Sequence, residues 1–164
     1  MQNIHSGGIA TTATVLKGGA QNVYSSGVTT SSLVSSGGIQ QVRGGRANMT
    51  QVLPGGRQLV SSGGLAWSAF VNRGSQHISS AGTANYTSLS HGSQYVSNGG
   101  LASNTTLYGE LRQNSSSITS NFNYAGDTIY WYNSGGSRVM VSRSWTDTIT
   151  SATTVYWFDY TASQ

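Results

Sequence analysis

A glutamine followed two residues later by valine or isoleucine returns six times along this chain, at Gln2, Gln21, Gln40, Gln58, Gln76 and Gln94. The intervals are 19, 19, 18, 18 and 18 residues. A period of this length marks stacked units, each one supersecondary element that cannot bury its own core alone. Aligning the copies produces two apolar columns. One is Ile4, Val23, Val42, Val60, Ile78 and Val96; the other is Val15, Val34, Val52, Val71, Leu89 and Leu107. Between them lies A-x-x-T-x-V, complete at Ala47, Thr50, Val52, with leucine closing the copies at Ala84, Thr87, Leu89 and Ala102, Thr105, Leu107. Looser copies read Ala10, Ala13, Val15; Thr29, Ser32, Val34; and Ala66, Ala69, Val71.

Each copy is bounded by glycine-rich joints. One set precedes the glutamine, as in Gly18-Gly19, Gly37-Gly38 and Gly55-Gly56. The other follows the first apolar column, as in Gly7-Gly8, Gly44-Gly45, Gly63-Gly64 and Gly99-Gly100. Glycine enters the left-handed region without steric cost, so a pair at each end of a short apolar run reads as a tight corner. Valine, isoleucine, leucine and threonine in alternation favour strand over helix. The expectation is an all-β chain, a single-stranded parallel β-helix (β-solenoid) with 18–19-residue coils. Two short strands and two corners are expected per coil. Stacked strands lie about 4.8 Å apart, so six coils make a rod roughly 30 Å long. The two apolar columns form the interior ladder, with alanine and threonine in its narrow places.

The repeat is expected to span residues 1–108. Residues 109–164 read as a diverged, aromatic-rich, β-rich continuation or cap, since they carry ten of the sixteen aromatics. Trp131, Trp145 and Trp157 are the candidate ligand or interface aromatics there, because exposed tryptophan and tyrosine dominate interfaces and stack on sugars. The alternative role for the same residues is to cover the last core layer.

Charge is scarce, at 7 % of residues, and unevenly placed. All four acids, Glu110, Asp127, Asp147 and Asp159, lie at or beyond position 110, while Lys17, Arg43, Arg46, Arg57 and Arg73 precede it. Such a half could attract a polyanion, or simply solvate a surface. Glycoside cleavage generally takes two positioned carboxylates, and the repeats hold none, so no catalytic residue is assigned. His5, His77 and His91 fall at different repeat positions and imply no metal. There is no cysteine and hence no thiolate site. No cofactor is expected. Nucleic-acid binding lacks clustered Arg and Lys, and no stretch is long and apolar enough for a membrane helix. The N-terminus lacks the basic and apolar regions of a signal peptide.

The pattern GGxQxVxSGGxAxxTxV, carried by "GGRQLVSSGGLAWSAFV" and "GSQYVSNGGLASNTTL", resembles the repeat of AIDA-type self-associating autotransporter adhesins. The resemblance covers residues 2–108. It implies a right-handed parallel β-helix passenger at a bacterial cell surface, working in aggregation, adhesion and biofilm formation. It also implies O-glycosylation by a dedicated glycosyltransferase, with Ser25, Ser61, Ser62, Ser79, Ser80 and Ser97 as candidate acceptors. Residues 109–164 fall outside the resemblance, and no translocator barrel has room here.

Three readings follow. The first is a non-enzymatic extracellular adhesin whose polar faces pair laterally with copies of itself, with Asn22, Gln41, Gln51 and Asn72 as outward ladder positions. The second is a structural subunit that polymerises end to end through exposed strand edges into filaments. The third is a module that binds or cleaves carbohydrate, with a host-surface or bacterial polysaccharide as partner.

Overall fold

The structure is a computed structural model that describes residues 1–97, 99–113, 118–120, 122–124, 129–132, 138–142 and 148–149, with side chains to residue 106. Each repeat folds into one coil, and the coil has three strands where two were expected. In the first coil these are Gln2–Ile4, Ile9–Thr11 and Thr14–Val15. The extra corner, between second and third strands, carries no glycine. It falls at Thr12, Ser31, Met49, Ser68, Tyr86 and Asn104, each with φ between 50° and 56°. Placing an L-residue there costs about 1–2 kcal/mol. Inter-coil backbone bonds offset it: the Ser31 N–H donates to the Asn48 carbonyl at 2.9 Å, and the Met49 N–H to that of Trp67 at 2.8 Å.

Equivalent strands stack in parallel from coil to coil. On the first face Gln2 pairs with Gln21, Gln21 with Gln40, Gln40 with Gln58, Gln58 with Gln76 and Gln76 with Gln94. On the second face, Ile9–Thr11 leads through Val28–Thr30, Arg46–Asn48, Leu65–Trp67 and Thr83–Asn85 to Leu101–Ser103. The first and third faces merge where strand Ser88–Val96 runs unbroken from the fifth coil into the sixth. Coil length varies by one residue because the corners absorb it. Arg43-Gly44-Gly45 is one residue shorter than Tyr24-Ser25-Ser26-Gly27 before the same second-strand position.

The interior is built from columns. Val23, Val34, Val42, Val52, Val60, Val71, Ile78 and Leu89 are fully buried, with Ile4, Val15 and Val96 nearly so. Ala47, Ala66, Ala84 and Ala102 line the second strands. Leu107 stands in register with Leu89. The glutamines also point inward. Gln21, Gln40, Gln58, Gln76 and Gln94 are 0 % exposed, and each donates from Nε2 to Oε1 of the glutamine one coil earlier at 2.7 Å. The Thr50 and Thr87 hydroxyls add donors to Gln40 Oε1 and Gln76 Oε1, at 3.0 and 3.3 Å.

Parallel pairing continues past residue 107. Thr106–Gln113 lies against Ser88–Val96, and Ile118–Ser120 against Leu101–Ser103. The direction then changes. Phe122–Tyr124 pairs antiparallel with Thr148–Ile149, and Ile129–Tyr132 with Arg138–Ser142.

Candidate functional site: the outer faces of the rod

The first corner of each coil follows an inward apolar residue, so its residues turn out to solvent. Ser25, Ser62 and Ser80 are exposed there, and Ser61, Ser79 and Ser97 are half-buried. Ser62 and Ser80 hold positive φ, 53° and 48°, and the Ser62 N–H donates to the Ser80 carbonyl at 2.8 Å. Equivalent corner residues are therefore one strand spacing apart, about 4.8 Å. The hydroxyls form a ridge along one edge of the rod, broken at the third coil, whose corner Arg43-Gly44-Gly45 has no serine. Substituents on adjacent serine-bearing coils would touch along the axis.

The outer face of the first strands carries Asn3, Asn22, Gln41, Leu59, His77 and Tyr95 in one column. Asn22 belongs to this outer column but is only 6 % exposed, because its neighbours along the column cover it. Its Nδ2 donates to Asn3 Oδ1 at 2.8 Å, while its own Oδ1 and the Oε1 of Gln41 meet no donor. Gln51 is exposed, and Gln41 and Asn72 are half-buried. Aromatic stacking replaces amides elsewhere: His77 lies 4.5 Å from Tyr95 at 15°, and His5 lies 4.7 Å from Tyr24 at 7°. Burial, and then the nearby Arg57 guanidinium, hold the His77 pKa below the usual histidine value. No group of three His, Cys, Asp or Glu side chains that could hold a metal occurs among the described residues. No helix there is long and apolar enough to cross a membrane.

Trp131 falls in strand Ile129–Tyr132, opposite Val139. Trp145 and Trp157 lie outside the described residues, as do Asp127, Asp147 and Asp159. Glu110 stands opposite Ser93. The aromatic cluster that the repeat pattern did not reveal is in the middle of the rod. Trp67 and Tyr86 meet at the glycine-free corner, their rings 4.9 Å apart at 59°, and Phe70 opens the third strand just past it. All three occupy variable positions of the repeat. Only knowledge of the third corner brings them together.

The chain is similar to a solved structure with this coil geometry. That structure is a TibA fragment, residues 55–350, hyper-glycosylated in a reaction catalysed by TibC. Identity is 38 % and the TM-score 0.70, over 74 % of this chain and 46 % of that one. The chain thus spans about half the length of the structure it matches. No family model and no curated protein sequence matches it. The parallel β-solenoid and the TibA likeness both fit an AIDA-type repeat.

Proposed function

We propose that this chain is a non-enzymatic, cell-surface β-solenoid that works in adhesion and self-association, and that its first-corner serines accept sugars from a glycosyltransferase. The observation that carries the reading is the likeness to a TibC-glycosylated TibA fragment at 38 % identity. The geometry supports it. A rod whose corners repeat every coil displays the same hydroxyl many times. A weak contact made on each coil then adds up through repetition, even though a single hydrogen bond contributes only about 0.5–1.5 kcal/mol net. The exposed Asn3 and Gln51 and the half-buried Gln41 supply amides that a parallel rod could meet.

The acceptors are ranked by exposure. Ser25, Ser62 and Ser80 are the first to be modified, and Ser61, Ser79 and Ser97 follow. The test is to incubate the purified chain with a TibC-type transferase and its nucleotide-sugar donor, then map modified peptides by mass spectrometry. Sugar on Ser25, Ser62 and Ser80 is the expected result. An unmodified chain, or sugar confined to residues 109–164, overturns the assignment of these acceptors. Sedimentation velocity across a concentration series checks self-association separately: a single unchanging species at all concentrations rejects it.

A further inference from the structure

We propose that the corner formed by Arg46, Met49, Trp67, Phe70 and Tyr86 binds an acidic polysaccharide of the polyuronate type, with Arg46 holding a carboxylate and the Tyr86 and Phe70 rings packing on sugar faces. This site is separate from the serine ridge, and the inference stands apart from the self-association reading.

Two observations single out this corner. Met49 and Tyr86 hold φ of 50° and 56° in the column whose other members are Thr12, Ser31, Ser68 and Asn104. Asparagine suits the left-handed region; methionine and tyrosine, like the β-branched Thr12, gain nothing from it. The inter-coil backbone bonds offset the φ, but burial adds nothing, because Met49 is 51 % exposed, Tyr86 52 % and Phe70 39 %. Every coil holds this φ, so what sets the corner apart is its side chains, and exposed apolar side chains grouped in one place are a feature of binding sites.

The surrounding chemistry is that of a charged sugar. Trp67 acts as the buttress. Tyr86 leans on it, and the Arg46 guanidinium lies 5.5 Å from its ring centroid. Arg46 Nε is committed to Asn48 Oδ1 at 2.7 Å. That bond fixes the fork while leaving the two terminal nitrogens for a ligand carboxylate, which such a fork meets in bidentate fashion. Residues 1–106 contain five Lys and Arg and no acid. A second copy of the rod therefore brings no carboxylate from its repeats to this corner, whereas an anionic glycan does. The five cations are spread over several coils, on the first and second faces and in the corner after the third strand, a density suited to isolated carboxylates and not to a densely sulfated chain. The cluster covers three successive coils, about 10 Å along the axis, enough for a short stretch of sugar residues.

The test measures binding of the full chain to immobilised alginate, heparin and dextran by biolayer interferometry. Each variant takes a residue already present in its own column: Arg46→Thr as at Thr83, Phe70→Ser as at Ser88, and Tyr86→Ser as at Ser68. Far-UV circular dichroism and thermal midpoints check that the fold survives. Alginate is expected to bind and dextran not to. Arg46→Thr and Tyr86→Ser should each weaken alginate binding about tenfold, the loss of one charge-assisted bond or one stacked ring. Arg73→Gln, which removes a cation elsewhere, should change it less than about twofold. The proposal is overturned by absent alginate binding, by tighter binding to heparin, by dextran binding equally well, or by Arg73→Gln matching Arg46→Thr. It is also overturned if Tyr86→Ser spares alginate binding but abolishes self-association in sedimentation, which would make the corner a contact between copies.

Discussion

Gly63 and Gly64 are neighbours in the sequence, yet the coil requires them for unrelated reasons. Gly63 has φ of 75° and open space where a Cβ would stand. Gly64 has no such φ, but a Cβ there would run into the Val42 carbonyl of the previous coil. The same close approach recurs down the column, at 2.5 Å from the Ile4 carbonyl for Gly27 and 2.6 Å from the Ile78 carbonyl for Gly100. Gly63→Ala should therefore cost about 1–2 kcal/mol, the left-handed penalty alone. Gly64→Ala forces two coils apart and should cost more, toward the 3 kcal/mol end of overpacking. Urea unfolding of the two variants checks the order, and equal losses would reject the division of roles. The glycine pairs were legible in the sequence as corners. The second member's reason was not, because it depends on a carbonyl 22 residues earlier in the chain. His77 offers a pH test at the same scale. Its pKa is lowered in the fold, first by burial and then by Arg57. The unfolded chain thus takes up the proton first. Stability should be fully present above about pH 6.5 and decline as pH falls below it toward the folded value. His77→Leu, which matches Leu59 in the same column, should flatten that part of a stability-versus-pH curve.

Among the elements, the glutamine ladder shows what periodicity can and cannot reveal. The recurrence of glutamine marked the repeat, but a polar residue on a strand reads by default as an outward one. The structure turns it inward because each amide satisfies the next, and a fully paired polar column can be buried where a lone amide cannot. The strand count was missed for a related reason: the third corner uses Thr12, Ser31, Ser68 and other ordinary residues, which carry no turn signal in one dimension. The ladder also has a direction. Every Nε2 donates toward the N-terminal neighbour. Gln58→Leu would strand the buried Nε2 of Gln76 and should cost about 1–3 kcal/mol. Gln94→Leu strands no amide donor of the ladder. It removes one donor from Gln76 Oε1, which keeps Thr87, and an acceptor from the Thr105 hydroxyl. It should cost less than Gln58→Leu. The chain itself places Leu111 in register after Gln94, where the ladder ends. Chemical denaturation of both variants decides, and an equal or larger loss for Gln94→Leu would contradict the directional account.

For the whole molecule, charge separates the two proposed activities. The formal net charge is +4, and every cation in residues 1–106 is unopposed there. Two rods approaching laterally would repel each other weakly over their length, and in the proposed self-association the attraction would come from short polar contacts that salt barely reaches. A polyuronate is drawn to the same rod by charge. Salt shortens the range of both electrostatic terms, from about 30 Å at 0.01 M to about 8 Å at 0.15 M. The two associations should therefore respond in opposite directions across that range. Self-association, measured by sedimentation velocity, should hold or strengthen as salt rises. Alginate binding, measured on the same preparation, should weaken, and Arg46→Thr should flatten its salt dependence. If self-association instead falls with salt, attraction between opposite charges holds the copies together. Since residues 1–106 carry no acid, that attraction must then draw on Glu110, Asp127, Asp147 or Asp159, and the assignment of the repeat faces as the self-associating surface fails.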